Sequence, residues 1–140
     1  MRMRNAVICI LLSFFAGAGL VLAREPDGQS PDASEQLFAE PFAGEEGKEV
    51  VAQTYIFPPG AVLPWHIHPD AHEIAYIIEG TLTFERAGEA PREIKAGEAG
   101  YLAPNVVHRG MNKTDKPVKL LAVRIKPKNK PLVQEMPAPQ

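Results

Sequence analysis

Between Gly60 and Gly80 the chain reads G-A-V-L-P-W-H-I-H-P-D-A-H-E-I-A-Y-I-I-E-G, with His66, His68 and Glu73 inside eight residues. A second block, Gly97 to Asn112, carries His108. Side chains alternate along a strand, so His66 and His68 share one face while Trp65 and Ile67 take the other. Two imidazoles about 7 Å apart at the backbone can converge on one ion. Imidazole nitrogens with a carboxylate oxygen form a ligand set for one divalent transition metal, with Fe, Mn, Ni, Cu and Zn all suited to it.

His72 stands beside Glu73, and on an extended strand only one of the two reaches the ion. Pro69-Asp70 turns the chain before them, so parity from His68 leaves the choice open. Asn105 suits a left-handed turn position that aims His108 inward, and Asn112 is read as holding backbone at the next turn. Arg109 and Tyr101 can face either a ligand or solvent, and solvent is the default for both. Trp65 and Ile67 are read as packing residues.

The elements that must position these groups are short strands. Turn signals such as Pro58-Pro59-Gly60, Pro69-Asp70, Glu79-Gly80, Ala96-Gly97 and Asn112–Pro117 separate β-forming segments at Val50–Phe57, Ile74–Ile78, Thr81–Phe84, Arg92–Lys95 and Val118–Ile125. Strands at this spacing predict an all-β sandwich or barrel. The segments Ile74–Ile78 and Val118–Ile125 are apolar on both faces for most of their length, so the barrel is expected to pack its outside as well. A second copy of the chain is the simplest cover, giving a homodimer.

At 140 residues there is room for one domain with tails. Arg2 and Arg4 precede an apolar run from Ala6 to Leu22 that ends in Val21-Leu22-Ala23. Residues 1–23 therefore read as a secretory signal peptide, which predicts an exported protein, periplasmic or secreted. The alternative is an uncleaved anchor, which is the one expected route to a membrane. Residues 24–40, rich in Glu, Asp, Ser, Pro and Gln, read as a flexible linker. The core domain is expected at 41–127, and 128–140 as an extended Pro-rich tail.

Cys9, in the leader, is the only cysteine. A cleaved chain would have no disulfide, no thiol nucleophile and no thiolate ligand. Loss of the leader takes the net charge from −2 to −4. That acidity argues against nucleic acid as a partner and leaves a small molecule as the expected ligand.

These two blocks resemble the two motifs of the cupin superfamily, and in particular its small single-domain, quercetin-dioxygenase-like members. Gly60, His66, His68, Glu73 and Gly80 fit G-x5-H-x-H-x3-4-E-x6-G, and this register selects Glu73 over His72. The second motif, G-x5-P-x-G-x2-H-x3-N, is kept at Gly97, His108 and Asn112, with Ala103 and Asn105 at its two turn positions. The resemblance covers about residues 45–127. It implies a double-stranded β-helix (a cupin jelly-roll barrel), often dimeric, with metal held inside by His66, His68, Glu73 and His108. It further implies a metal-dependent, dioxygenase-like enzyme acting on a small oxygenated compound, with Glu73 able to double as a base. A non-catalytic module binding a small ligand or metal, and a metal-dependent isomerase or lyase, are the other readings.

Overall fold

The computed structural model describes residues 33–140. The expected signal peptide and the first part of the linker lie outside the described residues. The described chain is all strand: β1 Ala33–Pro41, β2 Lys48–Phe57, β3 His66–Ile67, β4 His72–Glu79, β5 Thr81–Arg86, β6 Arg92–Lys95, β7 Ala99–Leu102, β8 His108–Met111, β9 Val118–Pro127 and β10 Gln134–Glu135. They form two antiparallel five-stranded sheets, in the orders β1-β2-β9-β4-β7 and β10-β3-β8-β5-β6. This is the expected double-stranded β-helix. No helix among the described residues is long and apolar enough to cross a membrane.

Consecutive strands alternate between the sheets except in the β1–β2 and β5–β6 hairpins, and several of the turns are built on left-handed residues. At Gly80, φ is +83°, and a Cβ there would sit 2.8 Å from the Pro117 carbonyl oxygen, so both conformation and space require glycine. Asn105 takes φ +62°. Its side chain accepts from the Asp70 amide at 3.0 Å and donates to the Asp70 carboxylate at 3.0 Å. Asn thus meets a turn demand that glycine fills in the related motif.

The inner faces close on Phe57, Ile77, Leu82, Phe84, Val118 and Leu120. In the middle of the first sheet, however, small residues lie side by side: Ala122 opposite Ala75, and Ala75 opposite Gly100. A row without bulk cannot fill the space between two sheets about 10 Å apart. A void therefore opens beside the histidines.

The outer face of this sheet is also apolar. One row runs Phe38, Ala52, Val123, Ile74, Tyr101 across all five strands. Ile74, Tyr76, Ile78 and Tyr101 are exposed on it.

Residues 33–40, read from composition as part of the flexible linker, are strand. β1 pairs with β2 from Ala33↔Ile56 to Pro41↔Glu49, with a bulge between Gln36 and Phe38. The open edge of β2 supplies backbone hydrogen bonds that local composition does not reveal. The Pro-rich tail begins with a turn in which the Lys130 amide donates to the Pro127 oxygen, and its β10 pairs with β3 at Gln134↔Ile67 and Glu135↔His66.

Candidate metal centre

His66 opens β3 and His108 opens β8, and the two stand directly opposite in the ladder between those strands. Directly opposed residues share a face. His68 follows two residues after His66, before the turn at Asp70, where φ is +53°. All three rings therefore point into the barrel, and each residue is 3–6 % exposed. Their ring centroids lie 4.2–5.1 Å apart, and their ligating nitrogens lie within 4.8 Å of one another.

The other nitrogen of each ring is tied to backbone. His66 Nδ1 lies 2.8 Å from the Pro64 oxygen, His68 Nδ1 2.7 Å from the Leu132 oxygen and His108 Nδ1 2.9 Å from the Val106 oxygen. A carbonyl only accepts, so each Nδ1 must carry the proton. That leaves the Nε2 atom of each ring to face the interior. Burial pushes the pKa of His66 below that of an ordinary histidine, and that of His108 down to about 4, with neighbouring imidazoles adding to the effect. Both are neutral at pH 7 and able to bind metal.

Glu73 lies on β4, opposite Leu102 of β7 and Arg124 of β9. Its Oε2 lies 3.0 Å from His68 Nε2 and 2.5 Å from Arg124 Nε. Burial alone would raise its pKa, but the Arg124 guanidinium and His68 outweigh burial and hold the carboxylate far below the usual range. His68 Nε2 and Glu73 Oε2 are buried and close together, yet neither makes a well-angled hydrogen bond. A buried imidazole nitrogen and a carboxylate oxygen 3.0 Å apart, beside two more imidazole nitrogens, form a donor set that fits a divalent cation. Three buried histidines can hold a metal ion here, and Glu73 stands next to them.

Arg124 belongs to neither motif, although the alternation of β9 puts it in line with Leu120 and Ala122 on the inner face, an arginine among apolar neighbours. It donates at 3.0 Å to Gln53 Oε1 and at 3.0 Å to the Tyr55 hydroxyl, so its charge is fully engaged.

The remaining candidates lie elsewhere. His72 turns outward, its Nδ1 2.7 Å from the Tyr101 hydroxyl. Arg109 stacks over Trp65 at 4.7 Å and pairs with Glu85 at 2.7 Å. Asn112 holds the Phe57 and Lys116 carbonyls and the Thr114 amide, the backbone role expected of it.

The histidines and Glu73 border a cavity of about 60 Å³ with mostly apolar walls. Tyr55, Leu63, His66 and Arg124 also line an adjoining space of about 180 Å³, whose far wall includes Val133 and Glu135 of the tail. The tail is tied down by β10 and by the Met136 amide, which donates to the Trp65 oxygen at 2.8 Å. It thereby carries the Leu132 carbonyl to His68, a feature that local sequence patterns did not suggest.

The Cupin_2 family, the cupin domain, matches residues 53–124, just over half of the chain. The auxin-binding protein ABP19b of Prunus persica is 26% identical over 112 residues, 77% of this chain and 54% of its own. The chain thus spans about half the length of that relative. Among solved structures, a conserved double-stranded β-helix protein from Klebsiella pneumoniae is 20% identical, with a TM-score of 0.61, covering 81% of this chain and 90% of that one. The DMSP lyase DddQ of Ruegeria pomeroyi is 25% identical, with a TM-score of 0.57, covering 74% of this chain and 51% of that one.

Removing residues 131–140 should weaken metal binding about 10–100-fold, the usual effect of losing a hydrogen bond that orients a ligand. The same truncation in a His68→Ala background should cost little more, because the carbonyl acts through His68. Titration of metal into the four proteins checks this. Equal losses in both backgrounds would show that the tail acts through general stability instead.

Proposed function

Because the chain belongs to the cupin domain family, we propose that it is an exported metal-dependent enzyme, dioxygenase-like, that acts on a small oxygenated compound. The observation that carries this reading is the inward-facing histidine triad, with its Nδ1 atoms tied to carbonyls, beside a cavity large enough for a ligand. His66, His68 and His108 hold the metal and Glu73 is its fourth ligand. When bound, a divalent transition metal supplies Lewis-acid chemistry at its open position and, for a redox metal, access to dioxygen.

The chain's own groups set the conditions. Arg124 keeps Glu73 anionic, which suits a ligand better than a proton carrier. Gln53 and the Tyr55 hydroxyl keep Arg124 in place. Phe57, Leu82, Phe84, Leu102 and Leu120 border the cavity and exclude water from a reacting centre.

A lyase or isomerase using the same metal is the second reading, supported by the 25% identity to the DMSP lyase DddQ. A ligand-binding module is the third, supported by the likeness to an auxin-binding protein. Oxygen consumption with small diols and 2-oxo acids separates the three. The first reading predicts uptake that depends on the loaded metal. No uptake with any loaded metal contradicts it; product formation without oxygen then selects the lyase or isomerase, and stoichiometric binding without turnover the module.

The apolar outer face of the first sheet is the surface on which a second copy packs, face to face, as a homodimer. Sedimentation should give a dimer at micromolar concentration, and Ile74→Lys with Tyr76→Lys should convert it to monomer. A monomeric wild-type chain contradicts this arrangement.

A further inference from the structure

Three arginines approach the inside of the barrel, and two of them are engaged. Arg124 is paired with Glu73. Arg86 donates from Nη2 to the Tyr101 oxygen at 2.6 Å and lies 3.7 Å from Glu89. The third, Arg92, is exposed at the rim of the cavity and makes no hydrogen bond or ion pair among the described residues. It stands opposite Phe84 in the β5–β6 ladder, with its guanidinium carbon 5.6 Å from the centre of that ring. The same ring lies 5.6 Å from the ring of His108. One aromatic side chain therefore separates this guanidinium from the histidine triad.

The opposite wall makes room for this placement. Gly100 faces Arg92, and a Cβ at that position would come within 3.3 Å of Arg92 Nη2 and within 3.3 Å of Ile94 Cδ1. Glycine at the end of the Ala122–Ala75–Gly100 row thus keeps a slot open for the guanidinium. Glu73 and Arg124 offset each other, and Arg92, exposed at the rim of the cavity, faces no protein anion among the described residues. Arginine presents its donors as a planar fork that matches a carboxylate.

We propose that Arg92 is the specificity-determining residue of the cavity, and that the ligand is a small monocarboxylate whose carboxylate pairs with this guanidinium while its short apolar body lies over the Ala75, Gly100 and Ala122 row. The assignment rests on the reading of this cavity as the substrate site. The cavity of about 60 Å³ sets the size. At about 10–15 Å³ for each water-sized unit, it takes an acid of only a few non-hydrogen atoms. Phe84 holds the guanidinium by cation–π contact, so the donors stay directed without a protein anion to satisfy them.

The test uses the full-length, metal-loaded protein, titrated calorimetrically with acetate, propionate and butyrate and with the corresponding amides. Metal per chain is measured on the same samples. The wild-type protein should prefer each acid over its amide. Arg92→Ala should weaken the acids by about 10–100-fold, as expected for loss of a charge-assisted fork, with amide affinity and metal content unchanged. Arg92→Lys should fall between the two, because it keeps the charge and loses the fork. Acid affinity that survives Arg92→Ala overturns the proposal, as does a wild-type protein with no preference for acids. A protein that prefers acids through Arg92 but takes up no metal supports the anion site while contradicting the metal-dependent function.

Discussion

The site depends on three hydrogen bonds in which a buried imidazole Nδ1–H meets a backbone carbonyl. Without them each ring can flip or change tautomer, and three adjacent imidazoles in a low-dielectric interior have no common orientation. With them, Nδ1 is spoken for and Nε2 points inward. The carbonyls come from different parts of the chain. Pro64 and Val106 lie two residues before their histidines, and Leu132 lies in the C-terminal tail. The first two are local and form with the strands themselves. The third forms only when β10 has added to the edge of its sheet. Completion of the site is thus coupled to docking of the last residues of the chain.

A second constraint comes from charge. Glu73 and Arg124 are both buried, and an isolated charge in that position is costly. Their contact, backed by Gln53 and Tyr55, removes most of that cost and leaves the carboxylate ionised beside His68. The neighbouring row of Ala75, Gly100 and Ala122 gives up core packing to open a space. A larger side chain in that row would improve packing and close the cavity. The barrel therefore spends local stability next to the group of residues best suited to chemistry.

Much of this was legible in the sequence because it rests on short-range spacing. His66, His68, Glu73 and His108 were singled out from two blocks with defined spacing, and the structure brings all four together. The strands at 50–57, 74–78, 81–84, 92–95 and 118–125 announced themselves through β-branched and aromatic residues between strong turns. β3, β7 and β8 did not, since two to four residues containing His, Gly or Ala carry little intrinsic preference and are held by their neighbours. β1 was hidden for a similar reason: Ala33–Pro41 has the composition of a linker and gains its order from pairing with β2. Arg124 and the Leu132 carbonyl were missed because both act across long sequence separations. The first is an inward cation whose meaning appears only once β4 and β9 lie side by side. The second is a backbone atom, to which side-chain patterns are blind.

The most direct test of the metal centre is elemental analysis of the full-length protein, purified without chelator, alongside a His108→Ala variant prepared in parallel. About one divalent transition metal per wild-type chain is expected, with a sharp loss in the variant. A wild-type protein that takes up no metal on reconstitution, or a variant that keeps a full complement, would contradict it.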